Sequence, residues 1–137
     1  RLTELGSTSI SRILVNSKLY FFVALNSGTI KAGLGSDGAT AAYSAASSIS
    51  KNQFYHIVAT RTSTGIVNFY INGVLSGTAN QSSGTPAAGT TNMVIGQAPG
   101  NLNCWKGLIP SVRIYNGILS VDEISQIYSS EKKNYGL

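Results

Sequence analysis

Five carboxylates, one histidine and one cysteine are all that this 137-residue sequence offers for acid–base, nucleophilic or metal chemistry. The acids are Glu4, Asp37, Asp122, Glu123 and Glu131. Hydrolysis of a glycosidic bond by the usual route takes two carboxyl groups facing each other across it. On a β scaffold such a pair sits on strands lining a cleft, and no segment that reads as a strand here carries a single carboxylate. Asp122 and Glu123 instead open a helix, where negative charge suits the dipole. A catalytic triad needs its histidine beside an acid and a nucleophile. His56 lies inside the strand-like run Tyr55–Arg61 with no acid close in sequence, and reads as a structural residue. Cys104 is alone, which excludes an internal disulfide and a cysteine-based zinc cluster. Gly33-Leu34-Gly35-Ser36-Asp37-Gly38 spells G-x-G-x-x-G, but a phosphate cradle requires a following helix, and Ala39–Ala42 leads into Ser-rich strand material. The expectation is a protein that is not an enzyme. No cofactor is expected, and calcium alone has a candidate ligand: Asp37, in a Gly/Ser loop where carbonyls and Asn side chains add oxygens.

The elements that would position these residues are mostly strands. Charged residues make up 11% of the chain, against roughly 25% in an average soluble domain. Polarity comes from 19 Ser, 11 Thr, 11 Asn and 15 Gly, a mixture that suits strands joined by tight turns and rules out long charged helices. Arg12–Val15 and Leu19–Leu25 flank Asn16–Ser17–Lys18 at hairpin spacing. Thr29–Leu34 alternates, Tyr43–Ile49 is a weaker strand rich in Ala and Ser, and Tyr55–Arg61 is stronger. Asn72–Gly73, between Ile66–Ile71 and Val74–Thr78, predicts a type I′ turn, because both central residues need positive φ. Gln81–Thr91 reads as a loop, Met93–Gly96 as a short strand, and Leu108–Tyr115 as a longer strand with an edge or bulge at Pro110. The period then changes. Ser120-Val121-Asp122-Glu123 is a capping box, and Val121, Ile124, Ile127 and Tyr128 recur at helical spacing through Ser130.

Ten Lys and Arg against five acids give a net charge of +5. The basic residues are scattered, with Lys132–Lys133 the one adjacent pair, so no nucleic-acid partner is expected. The longest apolar run, Leu19–Leu25, is strand-sized, and a membrane helix needs roughly 20 residues. No membrane insertion is expected. Arg1 leads straight into Thr3, Glu4 and Gly6 without signal-like character, and the sequence reads as one domain, 1–137, of a larger chain.

Gln53-Phe54-Tyr55-His56-Ile57-Val58-Ala59-Thr60-Arg61 followed by Asn68-Phe69-Tyr70-Ile71-Asn72-Gly73 resembles the W-x-H-V-A-x-T … L-Y-I-D-G stretch of laminin-G-like jelly rolls, in the concanavalin A-like lectin/glucanase superfamily. Ile95-Gly96, Trp105-Lys106-Gly107, Val112-Arg113-Ile114-Tyr115-Asn116 and Leu119-Ser120 with Glu123-Ile124 and Tyr128 are similar to that family's closing signature. The resemblance runs from about Leu19 to Tyr128. It implies an all-β fold, a two-sheet antiparallel jelly-roll sandwich of concanavalin A-like type with one short C-terminal helix. It also implies that Trp105 occupies a structural position. The chain departs from the family at Pro110 and Ser111, where acids are usual, and the family's N-terminal strands are absent or fall before Arg1. The expected role is a lectin-like binding or attachment module of an extracellular or virion-surface protein. The alternative is a purely structural virion domain, such as a capsid decoration, tail or fibre component. Its partners would be glycans or neighbouring protein subunits, with an assembly contact or oligomer in view. Sugar sites combine an aromatic face with Asn, Asp and Gly in loops. The candidate surface is therefore Gln97–Lys106, with Asn101, Asn103 and Trp105, joined by Tyr43 and Asp37.

Overall fold

The computed structural model describes residues 1–5, 10–16, 18–36, 41–45, 48–81, 89–97 and 103–137. Among them the chain forms β1 (Leu2–Glu4), β2 (Ile10–Val15), β3 (Leu19–Asn26), β4 (Thr29–Ser36), β5 (Ala42–Tyr43), β6 (Ile57–Arg61), β7 (Ile66–Ile71), β8 (Val74–Asn80), β9 (Val94–Ile95), β10 (Lys106–Gly107) and α1 (Val121–Tyr135). The strands pair antiparallel in three groups: β5-β4-β3-β2-β9, β6-β7-β8 and β1-β10. This is the concanavalin A-like sandwich that the sequence predicts, with a single helix at its C-terminal end.

Alternation decides which side chains enter the core. From the five-stranded sheet, Ile13, Val23, Ala32, Leu34 and Ala42 point inward, and from the three-stranded sheet Val67, Phe69 and Ile71 meet them. Val23, Val67 and Phe69 have no exposed surface, and burying each contributes roughly 1.5–3 kcal/mol. The turns follow the residues that allow them. Asn16 Oδ1 accepts the N–H groups of Lys18 and Leu19, at 2.8 and 2.7 Å, and so bends the chain between β2 and β3. Asn72 and Gly73 have φ of 52° and 79°, as a type I′ turn requires.

One side of the sandwich is closed by a crossing chain. Where the sequence predicts a strand over Tyr43–Ile49, pairing stops at Tyr43 because the backbone changes sheets. Ser44 N–H donates to Ala32 O (2.9 Å) and the next N–H, of Ala45, donates to Ser76 O on β8 (2.6 Å). Buried Gln81 adds a polar tie between the layers. Its Nε2 donates to Leu34 O at 2.6 Å, and its Oε1 accepts from Arg61 Nε at 3.0 Å.

The predicted strand Leu108–Tyr115 does not form, and strand pairing falls instead on Lys106–Gly107. The ladder with β1 runs out where Leu108 N–H meets Arg1 O (2.9 Å), and Pro110 has no N–H with which to extend it. The helix runs beyond Ser130 to Tyr135, whose ring packs on Phe54 at 5.9 Å, and ends on Gly136 in the left-handed region. Its start is the expected capping box. Glu123 N–H donates to Ser120 Oγ (3.2 Å), and the Glu123 carboxylate accepts from Ser120 N–H (2.7 Å). Ser120 thereby holds the Glu123 carboxyl below its usual range.

On the outer face of the five-stranded sheet, Gly33 and Gly35 make room for two rings. A Cβ on Gly33 would run into the ring of Phe22, and one on Gly35 into the ring of Tyr20. Phe22 is 2% exposed and has nowhere to go, whereas half-buried Tyr20 swings outward. Gly33→Ala is therefore expected to cost about 2–3 kcal/mol and Gly35→Ala about 1 kcal/mol or less, read from the midpoints of urea unfolding. Equal losses would mean that the two rings are equally free.

Candidate functional site

The ring cluster on that outer face lies on one rung of the sheet. Arg12 on β2 is opposite Phe22 on β3, Phe22 is opposite Gly33 on β4, and Gly33 is opposite Tyr43 on β5. At the usual strand spacing the rung spans roughly 14 Å from Arg12 to Tyr43. Phe22 is its floor. Tyr43 meets the Phe22 ring edge-on at 5.7 Å, and Tyr20 tilts against it at 5.8 Å. The Arg12 guanidinium lies 4.1 Å over the centre of the Tyr20 ring and 5.3 Å from that of Phe22. Its Nε and Nη1 are buried and have no hydrogen-bond partner among the described residues. Burial lowers the pKa of this group, and Tyr20 and Tyr43 act against that effect. A guanidinium stays charged throughout the working range of a protein.

The residues picked out from the sequence fall around this cluster unevenly. Tyr43 belongs to it. Asn103 lies beside β2, where its backbone oxygen accepts the Arg12 N–H at 2.9 Å. Trp105 faces the other way. It packs against the core with Ile109, and its indole Nε1 is buried without a partner. The structure thus puts Tyr43 on the outer rung, Asn103 beside β2 at the other end of that rung, and Trp105 against the core. Asn101 and Asp37 lie outside the described residues. Among the described residues no three of His, Cys, Asp and Glu gather as a metal site would require.

Arg12, Tyr20 and Phe22 escaped the reading of the sequence, although a signal was present. Tyr20 and Phe22 are spaced by two, as are Gly33 and Gly35, and hairpin register sets each ring over a glycine. Gly33 and Gly35, the first two glycines of a false phosphate motif, are the bed of an aromatic cluster.

A second feature lies inside the sandwich. Five strands face three, and on the side away from β5 and β8 a cavity of about 750 Å³ separates the layers. Its walls include Ile13, Phe21, Ile57 and Trp105, and the irregular segment that follows β10 forms its rim. On that rim Ile114 is 61% exposed. β6 borders the cavity with an edge that no described strand covers. Thr62 N–H donates to Ile66 O and Asn72 N–H to His56 O, so by alternation Val58 and Thr60 bond to β7. The backbone groups of Ile57 and Ala59 point to the uncovered edge.

His56 stands at the start of that edge. Asn72 brackets it, its Oδ1 accepting the His56 N–H (3.0 Å) and its own N–H donating to His56 O (2.8 Å). The imidazole lies 6.0 Å from the Tyr128 ring of α1, and Tyr128 packs in turn on Gly73. His56 Nδ1 is buried without a partner. The Arg113–Glu131 ion pair, which ties the rim to α1, is near enough for both charges to act on the ring.

Burial holds the His56 imidazole below its usual 6.5; Glu131 pulls it up and Arg113 pushes it down. The unfolded chain therefore takes up a proton at a higher pH than the folded one, and folding loses stability as pH falls below the unfolded value. Between about pH 7.5 and about pH 5.5 the melting temperature of the wild type is expected to fall more than that of His56→Gln. His56 is the sole histidine, so the difference between the two curves isolates it. Parallel curves would show that the ring titrates as freely folded as unfolded.

Comparison with known proteins places the fold. The Concanavalin A-like lectin/glucanases superfamily matches residues 1–125. No curated protein matches the sequence. Among solved structures, a native heptameric SAP-like pentraxin from Limulus polyphemus is similar with a TM-score of 0.65 at 18% identity, over 91% of this chain and 65% of that one. An S-layer domain-containing protein from Clostridium thermocellum is similar with a TM-score of 0.49 at 22% identity, over 93% of this chain and 67% of that one.

Proposed function

This chain belongs to the concanavalin A-like lectin/glucanases superfamily, and from that membership we propose that it is a non-catalytic module that recognises glycans on behalf of a larger extracellular or virion protein. The superfamily and the jelly-roll fold fit a binding module. The observation that carries the finer reading is the rung of Arg12, Phe22 and Tyr43, with Tyr20 beside it, on an outer sheet face. A pyranose offers an apolar CH face and a rim of hydroxyls. Half-buried tyrosine rings give the CH face a flat partner that loses little conformational freedom on binding. Arg12, and the loop returning through Asn103, stand where hydroxyl edges would project. In this reading Tyr43 and Asn103 take part directly. Trp105 is a wall residue of the core, and Asn101 completes the loop. Asp37 would join as a calcium ligand if binding proves to need the ion.

The uncovered β6 edge and the cavity behind it favour a second reading, a structural virion domain. An exposed strand edge is a template for pairing with another segment. Ile57 and Ala59 offer backbone groups there, and His56 Nδ1 and Trp105 Nε1 in the cavity wall are buried polar atoms without a partner among the described residues. A strand seated between β6 and the rim, from upstream of Arg1 or from a neighbouring subunit, would complete the sandwich.

A glycan array probed with the folded chain, with calcium and with chelator, separates the two. The expected outcome is reproducible binding to a subset of glycans, lost in Tyr43→Ala while the melting temperature changes little. A blank array from folded protein that self-associates in sedimentation would overturn the lectin reading and favour the structural one.

A further inference from the structure

From the surroundings of Arg12 we infer that the outer-face site selects a sugar bearing an anionic group, a carboxylate or a sulfate, which the Arg12 guanidinium receives while Tyr43 and Tyr20 hold the ring. This rests on the glycan-binding reading and narrows it to a ligand class. Three observations support it. Arg12 stands at one end of the aromatic rung, so a sugar stacked on the tyrosines brings a substituent to it. Its Nε and Nη1 have no acceptor among the described residues. The ion pairs among the described residues are Lys106–Glu4 and Arg113–Glu131, neither of which involves Arg12.

Among the described residues no carboxylate pairs with this half-buried charge, which is costly to leave uncompensated, and a chain with twice as many basic as acidic side chains has few counterions to give. The Tyr20 ring offsets part of that cost by lying flat against the guanidinium. Stacking also fixes the plane of the fork, which leaves its N–H edge as the recognition surface. A planar fork meets a carboxylate or a sulfate through paired, charge-assisted hydrogen bonds, and these are stronger than bonds to a hydroxyl. Nε and Nη1 lie buried beside half-buried Tyr20, so an anion can reach them only if the Tyr20 ring moves aside.

The test is an array carrying uronate- and sialate-containing glycans, sulfated glycans, and neutral analogues of matched core structure. The wild type is expected to bind at least one acidic set about tenfold or more tightly than its neutral analogues. The carboxylated and sulfated sets identify which anion is preferred. Arg12→Gln is expected to erase that preference while leaving residual neutral binding, and Tyr43→Ala to weaken both. Should Arg12→Gln fail to fold, the wild type alone suffices: raising salt from about 0.05 M to about 0.5 M is expected to weaken acidic binding and spare neutral binding. Equal binding of acidic and neutral glycans would overturn the inference and leave the lectin reading standing. A blank across the whole array would remove both.

Discussion

The two sheets are fastened along one side, and that asymmetry governs the rest of the molecule. At the fastened side the backbone crosses between layers in the single step from Ser44 to Ala45, and the two N–H groups bond to different sheets. Gln81 repeats the tie with its side chain, giving its amide donor to one layer and its oxygen to the other. Such bonds matter because a buried amide left without partners would cost about 1–3 kcal/mol. On the far side the layers are separated by a cavity, and the rim after β10 is held by the Arg1 ladder and the Arg113–Glu131 pair.

The alternation of a strand gives each sheet two independent surfaces, and the two readings of function use opposite ones. Inward residues of β2 and β3 line the core and the cavity; outward residues of the same strands carry Arg12, Tyr20 and Phe22. A change on one side leaves the other's neighbours in place. Tyr43 and Trp105 illustrate the separation. Both are aromatic, and both are near loops, but the pleat sends one to the outer rung and the other to the cavity wall.

Most of the fold was legible because its signals are local. Asn72–Gly73 specifies its turn by conformation alone, Ser120 and Glu123 specify a helix start by two hydrogen bonds, apolar or β-rich runs mark β2, β3 and β7, and alternation marks β4. The misreadings arose where a segment's state depends on distant partners. Tyr43–Ile49 has strand composition, but the crossing at Ser44 ends its pairing. Val112–Tyr115 has the pattern of a strand but pairs with none of the described strands. The site was legible only in part, since the aromatic rung exists through register. Arg12, Phe22, Gly33 and Tyr43 are separated by about ten residues at each step, and no local window contains them. Tyr43 and Asn103 were within reach because their types suit sugars; Arg12 looked like one scattered base among ten.

The pairing of β1 with β10 has a consequence for how the chain is made. Thr3 donates its hydroxyl to the carbonyl of Lys106, 103 residues further along. During synthesis the chain emerges from its N-terminal end, so β1 waits while three quarters of the domain leaves the ribosome. The hairpins β2–β3–β4 and β6–β7–β8 have short loops and can zip as they appear, whereas closing a loop of this length costs entropy that only a nearly finished core repays. Leu2 is 2% exposed once docked, and it is an unsheltered apolar side chain until then. β1 is therefore translated well before its partner and docks late, and in that interval the nascent domain depends on its surroundings to keep it from pairing elsewhere.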